Sequence, residues 1–507
     1  MAYFSKIIHR VFCLIVIIAG LLSCNSICGQ NSFELIYSTP DNEEIIDGVL
    51  HSSGNVYLVG RKISFETMNF HTLILKVNAE GTMDVVEWQY QDTIGYFPQL
   101  LELENNNIML IGQCSISPDS KSNKRWLRII DSQLNVISDH FYFQDTSYIS
   151  VYQNKAIIDY DGNIVVLGVV QFSDINIDHL TSDFFMAKYS QDGQAIDFKV
   201  FPFANHIEEV YDLTCIPGTD QYLAVTSAFF IGMPTPQIVR ISNHLDLISN
   251  ISFTNSSDIE SPCDLDHWLS NSTYLLSSLK LDWDGNNDQV GVFKADTSAN
   301  IINSIELGKL DTIDYPAWFN SSEYINDTTI YIGGFINYIT FWTTEPSFVE
   351  LYLIDTNLNL LGYRQFGGDI NYLLYGITAT ADGGCLLYTS TYSDSNFYQE
   401  RDIHIFKVPR DSIEIITHIY ELPDVTRKEL HAFPNPVKDV INIPFNASIE
   451  NIRISLYKSD GKKIMDISKS NKGNLITIDM RNLPSGVYIY NISSQCIAIS
   501  SGKFIKL

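Results

Sequence analysis

An acidic loop in the second half of the chain carries the strongest chemical signal in the sequence. Residues 281–288 read Leu-Asp-Trp-Asp-Gly-Asn-Asn-Asp, which places three carboxylates and two amides beside one glycine. A hard cation such as Ca²⁺ takes oxygen ligands from a sharply turning backbone. The favoured interpretation is an ordinary Asp/Asn-rich turn, and the alternative is a calcium site with Asp282, Asp284 and Asp288 as its predicted ligands.

Aromatic side chains in predicted loops are a second candidate for binding. Aromatic residues make up 12% of the chain, and flat rings beside polar groups are suited to hold a sugar. The segment 335–342 is predicted to form an exposed aromatic patch. Most of the other loop rings are expected to pack as core between blades. The rings in question are Trp88, Tyr90, Trp126, Trp283, Trp318, Tyr338, Phe341 and Trp342.

Common catalytic motifs are absent from the sequence. It contains no His-Glu-x-x-His, no Gly-x-Ser-x-Gly, no phosphate loop and no glycine-rich dinucleotide turn, and its eleven histidines are scattered. Two carboxylates brought together by folding could still serve a glycosidase. Residues 31–431 hold 54 acidic side chains, and the sequence does not select a pair among them.

The elements that would position these side chains recur about every 55 residues. A short apolar strand, a polar loop and a second apolar strand occur seven times, and the second strand is usually centred on a basic residue. The first strands begin at Asn55, Asn107, Asn163, Gln221, Thr273, Thr329 and Gly384. The centres of the second strands are Lys76, Arg128, Lys188, Arg240, Lys294, Tyr352 and Lys407.

Each repeat has room for roughly four strands, and strands that are apolar on both faces suit sheets covered by a neighbour on each side. We predict an all-β chain whose residues 31–422 form a seven-bladed β-propeller, with six or eight blades as alternatives. Residues 33–37 are predicted to close the ring by pairing with the last blade near residues 413–420. The repeat, which includes Gly-Asn-Val-Tyr-Leu-Val-Gly at 54–60, resembles uncharacterised bacterial secreted propellers, and that resemblance implies no activity.

The basic strand centres allow two interpretations. A ring of cations could line a central channel. The favoured interpretation is that each long stem lies along its blade while the charge reaches a carboxylate or water.

The last seventy-odd residues show a different pattern, with short alternating strands typical of a small β-sandwich. Pro434 and Pro436 exclude a helix at its start. Four motifs follow in order: Pro434-Asn435-Pro436, Asp-Gly-Lys around Gly461, Leu-x-x-Gly-Val-Tyr with Gly486 and Tyr488, and Lys-Phe-Ile-Lys from Lys503 to Lys506.

Together these motifs resemble the type A C-terminal sorting domain of the type IX secretion system. The resemblance covers residues 432–507, with residues 423–431 as a linker. It implies an Ig-like sandwich that directs the preceding passenger across the outer membrane of certain Gram-negative bacteria and is then usually cleaved off. It also implies the secretion machinery as a partner, and it says nothing of the passenger's activity.

The N-terminal residues 1–30 are predicted to be a secretory signal peptide. Lys6 and Arg10 precede an apolar run over 11–22, which is shorter than the roughly 20 residues that cross a bilayer. Lipidation of Cys24 is the alternative to ordinary cleavage, since residues 21–24 resemble a lipobox. No later run is long enough to span a membrane. The remaining cysteines are expected to be small buried residues, with a disulfide from Cys215 to Cys263 as the alternative.

The net charge of −27 is unevenly distributed. Residues 432–507 hold ten Lys and Arg against five Asp and Glu, so residues 31–431 carry −34. A body this acidic repels phosphate backbones, and nucleic acid is therefore excluded as an expected partner.

These observations predict a secreted or outer-membrane surface protein whose propeller is a binding or adhesion module for a glycan or a surface protein. No cofactor is required, and calcium is optional. The alternatives are a secreted polysaccharide-degrading enzyme with channel carboxylates and a structural component of a surface layer.

Overall fold

A computed structural model describes residues 32–507 with internal gaps. The gaps are 65–69, 90–93, 116–123, 143–149, 174–179, 203–206, 231–232, 254–258, 271, 281–287, 310–311, 327, 338–346, 393–400, 416–431, 445–451, 459–462, 470–474, 482 and 495–496. The predicted signal peptide, the Cys24 lipid site and the linker 423–431 lie outside the described residues.

The chain divides into two compact units, residues 1–415 and 416–507. The first is called the propeller below, and the second the C-terminal unit. Within the described ranges, no helix has the length and apolar character that a membrane span needs.

Strands dominate the propeller. After strand β1 (Phe33–Tyr37), sheet 1 contains β2 (Asn42–Leu50), β3 (Val56–Ile63), β4 (Phe70–Val77) and β5 (Met83–Gln89). Sheet 2 contains β6 (Ile94–Glu102), β7 (Ile108–Ser115), β8 (Lys124–Ile130) and β9 (Val136–Tyr142). Sheet 3 contains β10 (Ser150–Ile158), β11 (Ile164–Ser173), β12 (Leu180–Tyr189) and β13 (Ala195–Phe201). Sheet 4 contains β14 (Ile207–Cys215), β15 (Gln221–Phe230), β16 (Met233–Ser242) and β17 (Leu247–Ser252). A single parallel pair, Ser182 opposite Ile207, hydrogen-bonds β12 to β14 and so joins sheets 3 and 4 along one edge.

The remaining propeller strands continue the same antiparallel order. Sheet 5 contains β18 (Glu260–Trp268), β19 (Thr273–Lys280), β20 (Gln289–Asp296) and β21 (Ile301–Leu307). In sheet 6, β22 (Asp314–Pro316) and β23 (Ser322–Asn326) both pair with β24 (Thr329–Ile336), which is followed by β25 (Phe348–Asp355) and β26 (Leu360–Gly367). Sheet 7 contains β27 (Asn371–Ala379), β28 (Cys385–Tyr392), β29 (Asp402–Val408) and the N-terminal β1.

The two apolar strands of each sequence repeat are the central pair of each sheet. All eight residues of β28 are buried, as are all eight of β24. A sheet whose two faces are both covered by neighbouring sheets needs apolar residues on both faces of its central strands. The outermost strands instead alternate, as in β17, because they lie at the solvent edge.

The ring closes through the N-terminal strand. Strand β1 pairs with β29, with Leu35 opposite Ile405, and the first strand of sheet 7 lies beside that of sheet 1. The prediction that residues 33–37 complete the last sheet is therefore right, but their predicted partner was wrong. Residues 414–415 form strand β30 (Glu414–Ile415), which follows a 3₁₀ turn (Arg410–Ser412) and pairs with β26 of sheet 6.

The C-terminal unit is also built from strands. A two-stranded sheet pairs β31 (Val440–Pro444) with β34 (Leu475–Asp479). A four-stranded sheet has the order β33 (Lys463–Lys469), β32 (Ile452–Lys458), β35 (Gly486–Ser494) and β36 (Ile497–Lys506). Both sheets contribute to one core, in which Ile441 and Ile478 from the first pack with Leu456, Tyr490 and Phe504 from the second.

Candidate functional site

The first strands of several propeller sheets carry a β-bulge at an equivalent place. The pairing register shifts between Ile45 and Asp47 in sheet 1, and between Val210 and Asp212 in sheet 4. Similar shifts precede Gln99 and Lys155. A bulge re-aims the side chain that follows it. In these four sheets the residue after the bulge is polar or charged.

These polar side chains link each sheet to the next. Oδ2 of Asp47 accepts the backbone N–H of Leu100 at 3.0 Å, and Oδ2 of Asp212 accepts that of Leu265 at 2.6 Å. Asp264 continues the series, because its Oδ2 accepts both the N–H and the hydroxyl of Ser322 at 2.9 Å. All three carboxyl groups are buried. We call Asp47, Lys155, Asp212 and Asp264 the axial cluster.

The axial cluster combines buried carboxyls with one cation. Nζ of Lys155 lies 3.1 Å from Oδ1 of Asp212. Burial raises the pKa of Asp212 to about 7, and the nearby Asp264 carboxyl adds to the rise while Lys155 opposes it. Burial likewise raises the pKa of Asp47 to about 6. A protonated carboxyl beside an ionised one can serve acid–base chemistry, although here the same groups also bind backbone amides between sheets.

Sequence reasoning did not find the axial cluster, but a signal exists. Asp47, Gln99 and Lys155 each stand eight residues before the start of a first strand, and Asp212 and Asp264 stand nine before. Each is a polar residue in the strand that precedes the repeat's apolar strand. An alignment of the seven repeats on these positions would have shown the series.

A second charged cluster lies at the beginning of β2. The carboxylate of Glu44 accepts hydrogen bonds from Nε of Arg61 at 2.8 Å and from Nη1 of Arg401. Burial alone would raise the pKa of Glu44, but the two guanidinium groups lower it below its ordinary value. Glu44 is therefore a buried, ionised carboxylate held between two cations. Arg61 also lies over the ring of Tyr96, with 5.5 Å from the guanidinium carbon to the ring centroid.

Tyr375 connects this charged cluster to two exposed aromatic rings. Nη1 of Arg401 donates to the Tyr375 hydroxyl at 3.3 Å. The Tyr375 ring packs edge-on against Trp318, with centroids 5.4 Å apart, and stacks on Phe319 at 5.9 Å. Tyr375 is buried, whereas Trp318 is 36% exposed and Phe319 is 40% exposed. Of the aromatic residues predicted from the sequence, Trp318 therefore lies on the surface.

Other predicted aromatic sites are placed differently. Trp126 is buried and stacks on Phe141. Phe335 and Ile336, at the start of the predicted patch 335–342, are buried in β24, so that part of the prediction was wrong. The sequence analysis assigned these two residues to a loop, but they end a strand that is covered on both faces. Tyr90, Trp283, Tyr338, Phe341 and Trp342 lie outside the described residues.

The structure describes one of the three predicted calcium ligands. Asp288 is buried, while Asp282 and Asp284 lie outside the described residues. Among the side chains that the structure does describe, no group of three or more His, Cys, Asp and Glu is arranged to hold a metal ion. Cys215 is a free thiol, so the alternative of a disulfide to Cys263 is not realised.

Three of the six basic strand centres adopt the favoured interpretation, in which the charge reaches a carboxylate. Nζ of Lys188 contacts Asp159, Nζ of Lys407 contacts Asp382, and Arg128 donates to Asp139. Nζ of Lys76 reaches a neighbouring sheet instead, where it donates to the carbonyl of Ser132 at 2.9 Å. These long side chains tie strands and sheets together.

The C-terminal motif residues divide into core and surface. Tyr488 is buried and donates its hydroxyl to the carbonyl of Pro484 at 2.7 Å. Oδ1 of Asn435 accepts the N–H of Ile505 at 2.9 Å, which joins the first motif to the last strand. Lys506 is buried. Pro434, Pro436, Gly486 and Lys503 are exposed, and Gly461 lies outside the described residues.

These features define the class of the protein: a β-propeller followed by a separate C-terminal β-domain. The second domain is identified by sequence, because residues 431–506 match the family model of the secretion system C-terminal sorting domain. The type IX sorting assignment is thereby confirmed. A chain with this domain is secreted or attached to the cell surface.

Solved structures resemble the chain at low identity. A fungal alcohol oxidase of the AA5 family, in complex with copper, matches with 10% identity over 94% of this chain and 99% of its own, with a TM-score of 0.43. The β-propeller domain of the Trilobed protease from Pyrococcus furiosus matches with 9% identity over 77% and 99%, with a TM-score of 0.41. A PL25 ulvan lyase matches with 10% identity over 74% and 96%, with a TM-score of 0.47. At these values the likenesses carry no functional information. No curated protein matches the sequence significantly.

Proposed function

We propose that the propeller is a glycan-binding module that acts outside the cell, and that Trp318 and Phe319 form its binding surface. The observation that carries this proposal is the exposure of two neighbouring large rings, 36% and 40%, on a buried tyrosine. Flat, partly exposed rings offer a sugar an apolar face, and polar groups nearby supply hydrogen bonds.

The backbone supports a preformed surface. The N–H of Trp318 donates to the carbonyl of Leu374 at 3.2 Å, and that of Phe319 donates to the carbonyl of Tyr375 at 2.9 Å. Asn320 extends this parallel pairing to Gly376. Both rings are therefore attached to strand β27 of the neighbouring sheet. A surface that is ordered before binding loses less conformational entropy when the ligand arrives.

The proposed function also requires that the propeller be exported from the cell. A signal peptide over residues 1–30 would export the chain to the periplasm, and the sorting domain would then carry it across the outer membrane. An adhesive role at the outer-membrane surface fits a module that binds polymers, and calcium bound at the 281–288 loop would be a structural addition.

One observation favours an enzyme as the second candidate. The pKa of Asp212, raised by burial and by Asp264 to about 7, is suited to a general acid. In that case the axial cluster would cleave a polysaccharide. The amide bonds that Asp212 and Asp264 accept favour a structural role for these carboxyls, which is why binding is the preferred function.

The test uses the full-length protein on a polysaccharide array, with bound protein and released sugars both measured. Wild type should bind without releasing product. Trp318→Ala should weaken binding roughly tenfold or more, while Tyr160→Ala, which removes a ring that is 64% exposed, should bind as wild type does.

Each other outcome of this test has a meaning. If wild type releases sugars and Asp264→Asn does not, the propeller is an enzyme and the binding-module proposal is rejected. Equal weakening by both ring variants would reject the Trp318 surface. If no glycan is bound and a surface protein is captured instead, the glycan proposal fails.

A further inference from the structure

We infer that the outer face of the four-stranded sheet in the C-terminal unit is a docking surface, and that its partner is a protein of the secretion system with an apolar groove bordered by carboxylates. The inference rests on the sorting assignment and goes beyond the glycan proposal. It is carried by three adjacent exposed side chains, Val487, Ile489 and Ile505, by the positive charge around them and by the hydrogen bonds that fix the last strand.

Val487, Ile489 and Ile505 form one apolar patch on two neighbouring strands. Val487 in β35 stands directly opposite Ile505 in β36, and Ile489, two residues further along β35, lies on the same face. Directly opposite residues of antiparallel strands have Cβ atoms about 5 Å apart. The three side chains are 44%, 41% and 46% exposed. Exposed apolar side chains that are contiguous, rather than scattered singly, are typical of surfaces that bind another protein.

The sequence motifs that build the core also build the patch. Tyr488 and Phe504 are buried, and their rings stack with centroids 5.6 Å apart. Because successive residues of a strand point to opposite faces, burial of these two rings turns Val487 and Ile505 outward. A sheet with one solvated face usually carries polar residues on that face. The two apolar side chains are therefore not explained by the packing of the domain.

Strand β36 is held along both edges near the patch. One edge pairs with β35. On the other edge, the N–H of Val437 donates to the carbonyl of Ile505 at 2.7 Å, and Oδ1 of Asn435 accepts the N–H of Ile505 at 2.9 Å. A partner at this place therefore meets side chains and not an open strand edge. The patch is also ordered before the partner arrives, which lowers the entropic cost of docking.

A lysine flanks the patch on each side. Strand register places Lys463, Tyr457, Ile489 and Lys503 in one row across the four strands. Both lysines are exposed, and Nζ of Lys463 lies over the Tyr457 ring, 5.8 Å from its centroid. The row therefore has an apolar centre between two cations.

The wider charge distribution favours an acidic partner. By strand register, Arg453 and Asp466 also fall on this face, so bases outnumber acids on it by three to one. Residues 432–507 carry ten basic and five acidic side chains, whereas residues 31–431 carry −34. A partner whose apolar groove is bordered by carboxylates attracts the C-terminal unit and repels the passenger. That difference gives the partner selectivity for the sorting domain.

The experiment follows export of the full-length protein in the bacterium that produces it, measured as the fraction of the propeller found outside the cell. Val487→Thr combined with Ile505→Thr should lower that fraction roughly tenfold or more, because a few central anchors dominate binding at an interface. Threonine keeps a β-branched side chain, which suits a strand. The control is Leu475→Thr: Leu475 is an apolar residue of the other sheet, is 46% exposed, and its variant should be exported as wild type is.

A charge series at Lys503 tests the carboxylates of the partner. Lys503→Glu should lower the exported fraction more than Lys503→Gln does, and Lys503→Arg should leave it unchanged. Because Lys503 is exposed, these variants keep the inference testable if urea unfolding shows that the double variant folds poorly. Wild-type export of Lys503→Glu overturns the acidic partner.

Three further results overturn the docking surface, and a fourth rejects its premise. Wild-type export of a folded double variant overturns it and leaves the sorting assignment intact. Equal losses in the double variant and in Leu475→Thr overturn it as well, because the effect is then not specific to this face. If wild type is a dimer that the double variant dissociates while export is unchanged, the face binds a second copy of the chain instead. Export of a protein that lacks residues 432–507 rejects the sorting assignment itself.

Discussion

The ammonium of Lys188 lies 3.0 Å from Oδ2 of Asp159, and the two side chains are only 7% and 4% exposed. Tyr222, from the next sheet, donates its hydroxyl to the same oxygen at 2.8 Å. The pair therefore joins sheet 3 to sheet 4 as well as balancing its own charges. A buried ion pair is costly to break, because the remaining charge keeps its desolvation penalty without its partner.

Replacing Lys188 by Met should consequently lower the free energy of unfolding by about 3 kcal/mol. The equivalent lysine of sheet 7, Lys407, pairs with Asp382, which is 38% exposed. There, water can solvate the remaining carboxylate, so Lys407→Met should cost about 1 kcal/mol or less. Urea unfolding of both variants measures the difference. Equal losses would show that burial of the carboxylate does not decide the cost.

The pH dependence of stability should be unusual, because several buried carboxyls keep their protons near neutral pH. Burial raises the pKa of Asp314, with help from Glu350, to about 7, and Asp212 and Glu43 reach similar values. The unfolded chain releases these protons near pH 4. Since the folded state binds more protons between about pH 4 and 7, stability falls as pH rises through that range. We expect a lower melting temperature at pH 8 than at pH 5.5.

Asp314→Asn should reduce this slope, because it removes one of the contributing groups. Asp131→Asn is the matched control: hydrogen bonds from Asn135 lower the pKa of the Asp131 carboxyl, so it titrates below this window. The control should change the slope between pH 5.5 and 8 very little. Melting curves at several pH values decide the matter, and a wild-type profile that rises from pH 5.5 to 8 would contradict the prediction.

Turns that place an apolar residue in the left-handed region give a prediction about strain. Leu245 has φ 57° and is fully buried. Leu245→Gly relieves about 1 kcal/mol of backbone strain but removes a buried side chain worth about 2–5 kcal/mol. We expect a net loss of about 2 kcal/mol. Asn106, exposed with φ 62°, has no such side chain to lose, and Asn106→Gly should stay within about 0.5 kcal/mol of wild type in urea unfolding.

Periodicity predicted the central strands of the propeller well, because a strand covered on both faces must be apolar throughout. It could not predict the partner of β1. Strand β29 and the segment near 413–420 both have the apolar sequence of a strand, so either could have been the partner of β1. Which of them pairs with residues so far away in the chain depends on how the ring closes. The sequence pattern contains no information about which edge remains uncovered.

The candidate site was likewise only partly predictable from the sequence. Trp318 was a candidate because it is a large ring in a predicted loop. Arg61 and Arg401 were not, since they are 340 positions apart and meet on Glu44 only when sheet 7 closes against sheet 1. Because the cluster around Glu44 forms only when the ring closes, no local sequence motif could predict it.

The predicted calcium loop remains open to a direct test. Its last residue, Asp288, is attached to sheet 6, because its carbonyl accepts the N–H of Asp314 at 2.8 Å. If the loop binds calcium, EDTA should lower the melting temperature through loss of ligand stabilisation. Asp282→Asn should make the protein insensitive to EDTA. If EDTA leaves the wild-type melting curve unchanged, the 281–288 loop does not bind calcium.

Export gives the last prediction. Deleting residues 432–507 should leave the propeller in the periplasm, because these residues match the sorting domain that the secretion system uses. Cell fractionation with an antibody against the propeller measures the distribution. Fusing residues 432–507 to an unrelated periplasmic protein should carry that protein outside, which separates a lost sorting signal from a misfolded passenger.

Since Asn435 joins the first motif to the last strand, the fusion should contain the whole unit, and a truncation that ends before β36 should fail to export. A propeller found outside the cell without residues 432–507 would contradict the assignment.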